Sequence, residues 1–157
     1  VVFFAHFTVV GVPRPGGSKR GFAFHRPNGK LGVSLVDAGG ERTKAWRSLV
    51  ASAATLAMRD DSPAGLETSR RPANFPLKLV ITFYLPRPAW HYKKGVLRVT
   101  APQVHSMRPD TTKLLRSTED AMKGIVYEDD SLIYCQEITK LYADQPEQVG
   151  AVITVTD

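Results

Sequence analysis

The chain has 157 residues, 43% apolar and 23% charged, and its 21 Lys and Arg against 15 Asp and Glu give a net charge of +6. This size suits one domain, residues 1–157, able to bury roughly 70% of its unfolded surface, and the composition excludes a largely disordered chain. The longest apolar runs fall well short of the ~18 residues of a membrane span, and the single Cys135 with four scattered histidines, His6, His25, His91 and His105, excludes an internal disulfide and a thiolate zinc cluster.

In chain order, Val1–Val12 is rich in β-branched and aromatic residues and reads as a strand ended by Pro13. His6 and Thr8 interrupt it and no basic leader precedes it, so a soluble, unexported, cytoplasmic protein with no membrane partner is expected. Arg14–Arg20 is a loop by composition. Gly21–Arg26 and Leu31–Val36 are expected to pair as a hairpin across Pro27-Asn28-Gly29, because Asn-Gly supplies the positive φ that a tight turn needs. From Thr43 to Met58, Trp46, Leu49, Val50, Ala53, Ala54 and Leu56 recur at helical spacing and predict one buried helix face.

Asp60–Asn74 reads as a polar connection, Pro76–Leu85 as a strand, and Pro86–Met107 as an irregular excursion or short edge hairpin. Thr111–Lys123 predicts a helix with the buried stripe Leu114, Leu115, Ala121 and Met122, stopped by Gly124. Ser131–Tyr142 and Gln148–Thr156 then read as strands around the turn Ala143–Glu147. The sum is an α+β fold: a single small domain with a mixed sheet and two main helices.

The charge is unevenly spread. Arg14, Lys19, Arg20, Arg26 and Lys30 share one Pro/Gly-rich stretch, Gly11–Lys30, that contains no acid. Such a field attracts polyanions, and nucleic acid is the leading partner class. The acids that carry chemistry lie later. Asp110 stands where an extended segment turns into a helix, and Glu128, Asp129 and Asp130 precede the next strand. A strand–helix–strand excursion is expected to bring Asp110 and the Asp129/Asp130 pair into one cavity, where carboxylate oxygens would hold a hard divalent cation. The plainer readings are a helix N-cap for Asp110 and a solvated turn for the triplet. Lys113 and Arg116 lie in the first two turns of the helix, where cations oppose its dipole, so local helix stability does not account for them. Arg116 shares a helix face with Lys113 and Asp120 and could reach a phosphate.

The run Arg108-Pro109-Asp110-Thr111-Thr112-Lys113-Leu114-Leu115-Arg116, then Asp120-Ala121-Met122-Lys123-Gly124, then Tyr127-Glu128-Asp129-Asp130-Ser131, resembles the signature of the RusA-like crossover-junction endodeoxyribonucleases. Gly11–Arg20 is similar to the basic segment of the phage-encoded members. The resemblance implies a small α+β homodimer that binds four-way DNA junctions and cuts two strands symmetrically with Mg²⁺, or Mn²⁺ in its place. It implies metal-binding roles for Asp110, Asp129 and Asp130, a supporting acid in Asp120, the site cation in Arg116 where the family has lysine, and the lysine of the following strand in Lys140. Arg14, Lys19, Arg20, Lys113, Arg116 and Lys140 would contact DNA, with affinity falling steeply as salt rises.

One position departs from the pattern. Thr112 replaces the second aspartate and Lys113 the following Asn, so the site loses a formal negative charge. Glu119 could supply the missing oxygen, the enzyme could work with one well-held metal, or the protein could bind junctions without cutting them. Cys135, on a strand, and Ser18, without a His partner, are poor nucleophiles, so hydrolysis by water without a covalent intermediate is expected. The rival reading is a non-catalytic branched-DNA or RNA-binding module. A basic phage structural protein comes third, because it leaves the acidic cluster unexplained.

Overall fold

The computed structural model describes residues 3–17, 19–37, 39–59 and 71–157. Its strands are β1 (Phe4–Val10), β2 (Lys19–His25), β3 (Leu31–Asp37), β4 (Leu77–Leu85), β5 (Tyr92–Lys93), β6 (Val96–Leu97), β7 (Ile133–Tyr142) and β8 (Gly150–Thr156), and its two main helices are α1 (Gly40–Arg59) and α2 (Thr111–Met122). Alternation builds the central sheet. Leu77, Leu79, Ile81, Phe83 and Leu85 of β4 are buried, as are Ala5, Phe7 and Val9 of β1 and Ala151, Ile153 and Val155 of β8. Their registers bring these side chains onto one face, as the two-residue period of a strand requires.

The strand order is β1-β8-β4-β7, with β4 and β7 parallel and the other pairs antiparallel, which makes the sheet mixed. A parallel pair needs a crossover, and α2 supplies it between β4 and β7. The β1–β8 pairing closes tightly at Gly150. A Cβ there would lie 1.8 Å from the Val9 carbonyl oxygen, and φ is +155°, so glycine is the residue that fits.

Both helices cover the apolar face. Trp46, Val50, Ala54 and Met58 point inward from α1 at four-residue intervals. Leu49 and Leu56 match the same periodicity yet are exposed, and Ala53 packs at the margin of the core. In α2, Leu114, Leu115 and Met122 are buried as expected, and Ala121 is half-buried. Ser117 and Thr118 are buried with them. The Thr118 hydroxyl returns a hydrogen bond to the Leu114 carbonyl and accepts the Trp46 indole N–H at 3.1 Å, and the Ser117 hydroxyl shares its proton between the carbonyls of Arg14 and Leu114. Satisfied in this way, the polar groups lose the desolvation penalty that would otherwise keep them outside.

The excursion after β4 is irregular apart from a short hairpin, β5–β6, which forms a two-stranded sheet of its own. Cys135 is half-buried on β7. The expected connection Asp60–Asn74 lies outside the described residues as far as residue 70. The excursion is fastened by Arg87, whose side chain is 2% exposed. Its guanidinium donates to the carbonyls of Pro102 (2.7 Å) and Ala143 (2.9 Å) and lies over the Tyr142 ring. Buried His91 packs against the same ring, and burial, then Arg87, pushes its pKa down. Among the described residues no helix is long and apolar enough to cross a membrane.

Candidate nuclease site

A cleft of about 620 Å³ opens at the N-terminus of α2, lined by Arg14, Leu85, His105, Arg108, Asp110 and Lys113 among others. Three ties build it. Lys140, near the end of β7, donates to the carbonyls of Met107 (2.8 Å) and Pro109 (2.7 Å) and fixes the turn that leads into α2. The Gly16 N–H donates to the Lys113 carbonyl at 2.9 Å, and Ser117 Oγ donates to the Arg14 carbonyl at 2.5 Å. A Cβ on Gly17 would meet Arg116 Cδ at 2.7 Å, so the Arg116 side chain lies against the same loop. The N-terminal basic loop is therefore laid along α2, which brings Arg14 beside Asp110.

Asp110 occupies the N-cap position with extended backbone, but its carboxylate makes no capping hydrogen bond. Its contact is a loose one with Lys113 Nζ, at 3.8 Å, and its side chain is 62% exposed. The helix therefore does not use the charged group that a cap would engage. Thr112 and Lys113 are exposed in the first turn.

The other acids gather at the opposite end. Lys123, just past α2, pairs with Asp129 at 2.6 Å and Asp130 at 3.5 Å. Asp129 also accepts the Ser131 backbone N–H at 2.9 Å, capping the short 3-10 turn Asp130–Leu132. The Lys123 ammonium, with Ser131 assisting, holds the Asp129 carboxyl well below the usual carboxylate range. Glu119 lies between α2 and β7, where Gln136 donates to it, and burial pushes its pKa up. Asp120 pairs at 3.0 Å with Arg47 and ties α2 to α1.

The expected convergence of Asp110 with Asp129 and Asp130 does not occur within one chain. The 12 residues of α2 separate its two ends by about 18 Å, and the pairing with Lys123 keeps Asp129 and Asp130 near the far one. Glu119 stands in the second half of the helix, away from Thr112, bound to Gln136. Among the described residues no group of three or more acid, His or Cys side chains is placed to hold a metal ion. A single chain therefore does not fit the ion that the resemblance implies.

Residues 27–156 match the family endodeoxyribonuclease RusA. The chain belongs to the RusA family. No curated protein matches it. RusA membership makes DNA the substrate class and strand cleavage the class of activity. The match takes in the α2 helix, both acidic groups and Lys140, whereas Arg14, Lys19 and Arg20 precede it.

Of the residues expected to touch DNA, Arg14 and Lys113 line the cleft, Arg116 borders it through Gly17, and Lys19 and Arg20 are exposed on β2. Lys140 directs two of its three donors at backbone carbonyls, which makes it a brace for the RusA cleft. Arg108 and His105 line the cleft without having been singled out in the sequence. Arg108 stood directly before the Pro-Asp pair and was legible there, whereas His105 sits in the irregular excursion and carried no signal. Lys123 was also missed, although a lysine six residues before an acidic pair marks a possible partner.

Glu119 gives a pH-dependent prediction. A raised carboxyl pKa means that the fold disfavours the charged form, so the group's cost to stability is absent below about pH 4.5 and grows as pH rises through the folded value. Glu119→Gln keeps an acceptor for Gln136 and removes the charge. It is expected to raise the thermal midpoint at pH 7 by the equivalent of under about 1 kcal/mol after solvent screening. Melting curves should coincide with wild type at pH 4.

Proposed function

We propose that the chain is a Mg²⁺-dependent endonuclease that resolves four-way DNA junctions by symmetric phosphodiester hydrolysis, acting as a homodimer. The observation that carries this reading is the Asp110 carboxylate, exposed in a cleft with Arg14, Arg108 and Lys113 and without a capping bond to its helix. The three cations would grip phosphates on either side of the cut, and Asp110 would accept a hydrogen bond from the attacking water and orient it. Phosphate contacts of this kind position DNA without reading its sequence.

A twofold dimer answers the separation of the acids. In an isologous pair, Asp110 of one copy can face Asp129 and Asp130 of the other, which gives two equivalent composite sites and two symmetric cuts. Mg²⁺, or Mn²⁺, would then be held between copies.

The test is a labelled four-way junction beside a linear duplex of the same sequence, each with Mg²⁺, with Mn²⁺ and with chelator. Paired, ion-dependent nicks confined to the junction are expected. Tight junction binding without cutting under either ion would favour the branch-binding reading, which the exposed Thr112 in place of a carboxylate supports.

A further inference from the structure

The hairpin β2–β3 keeps most of its apolar side chains in water. Phe22 is 54% exposed and Phe24 46%, and along β2 every residue is exposed. A two-stranded hairpin is marginally stable by itself in water, and large exposed apolar groups are a feature that needs a use.

Register sorts its residues. Arg20, Phe22 and Phe24 share one face, opposite Val36, Ser34 and Gly32 respectively. Arg26 continues the alternation just beyond the strand. Its placement on this face is visible at Gly32, where a Cβ would meet Phe24 Cζ at 2.7 Å and Arg26 Nε at 3.0 Å. The missing side chain at Gly32 lets the ring and the guanidinium lie side by side across the partner strand. Phe22 and Phe24 are about 7 Å apart along the strand, flanked at both ends by arginine and facing the small Ser34 and Gly32.

We propose that the Arg20–Phe22–Phe24–Arg26 face is a stacking platform for unpaired nucleobases of a DNA strand, a site separate from the cleft around Asp110. Aromatic rings on a basic strand bind single strands through base stacking, and arginine adds phosphate contact and further stacking. No acid occurs between residues 11 and 36 to oppose a polyanion. A second copy of the chain is the poorer occupant, because a twofold contact through this face would set its arginines against each other. In sequence the platform follows the loop that Gly16 and Arg14 fasten to α2. The inference rests on the nucleic-acid reading above, and a branch point is where such bases become available.

The test uses 2-aminopurine within an otherwise all-thymine single strand, titrated with wild type and with three double variants, alongside a fully paired duplex. Phe22→Ala with Phe24→Ala is expected to weaken single-strand binding at least about tenfold and to abolish the 2-aminopurine stacking signal, with duplex affinity within about twofold. Replacement of both rings by Tyr should restore the signal, and replacement by Leu should not. Leu variants that bind as wild type does would overturn the proposal, since apolar area alone would then suffice. So would Ala variants that change the sedimenting mass and leave single-strand binding unaltered, which would assign the face to self-association. Unchanged single-strand binding with intact duplex binding sinks this inference alone, whereas failure of wild type to bind any DNA at low salt sinks the nucleic-acid reading as well.

Discussion

Asp110→Asn is expected to lower Mg²⁺-dependent junction cutting by at least about a hundredfold, as removal of a charge at a phosphoryl-transfer centre does. Folding should be unaffected. Asp110 makes no capping hydrogen bond and is exposed, so the thermal midpoint should move by the equivalent of no more than about 0.5 kcal/mol. A cap-sized loss of about 1 kcal/mol with cutting retained would make Asp110 structural. Asp130→Asn is expected to be inactive as well, and mixing the two inactive proteins separates a composite site from one within a chain. In a mixed dimer with composite sites, one site combines both substitutions and the other has neither. Random exchange would then restore about a quarter of the wild-type number of sites, read as single nicks in place of paired cuts. If each chain carried a complete site, the mixture would stay inactive, and the dimer arrangement proposed above would be wrong.

The largest effect on stability is expected at Trp46. It is 1% exposed, packs between α1 and the sheet, and donates its indole N–H to Thr118 at 3.1 Å. Trp46→Ala leaves a cavity that neighbouring helices cannot fill and costs about 3–5 kcal/mol. For a domain of this size that is a large part of the whole stability. Trp46→Phe separates the contributions, since it keeps most of the ring and loses the hydrogen bond, at about 1–2 kcal/mol. Denaturant midpoints for the two variants test the order. If Phe proved as damaging as Ala, the indole–Thr118 bond, and not packing, would be holding α1 to α2.

The fold was legible because strands and helices write different periods. Val1–Val12, Pro76–Leu85 and Gln148–Thr156 alternate, and β1, β4 and β8 lie within them. What periodicity could not convey is which polar residues go inside. Thr118 sits on the buried face because its hydroxyl bonds back to its own helix, and Ser117 because its hydroxyl bonds the Arg14 carbonyl, compensations that no count of apolar residues records. Leu49 and Leu56 fail in the opposite sense, since α1 covers the sheet with a narrower stripe than its leucines suggest.

At the site, the sequence shows the acids but not the spacing between them, which depends on how α2 lies between Asp110 and the Asp129/Asp130 pair. A strand–helix–strand excursion returns to the sheet without having to return to its starting point. Each helical residue of α2 carries the chain about 1.5 Å further from Asp110. Lys140 shows a second limit. A lysine on a strand beside an active centre suggests a phosphate contact, and its two bonds to Met107 and Pro109 become visible once the turn is in place.

The Lys123 ammonium between Asp129 and Asp130 has a further consequence. These acids bring their own counter-ion, so the fold does not depend on a divalent ion to neutralise them. Any cation brought to this end of α2 would have to compete with that ammonium, which is already tethered there. The tether makes the ammonium a competitor at fixed local concentration, which dilution does not weaken. The charge balance at this end of α2 is thereby set by a side chain of the protein itself.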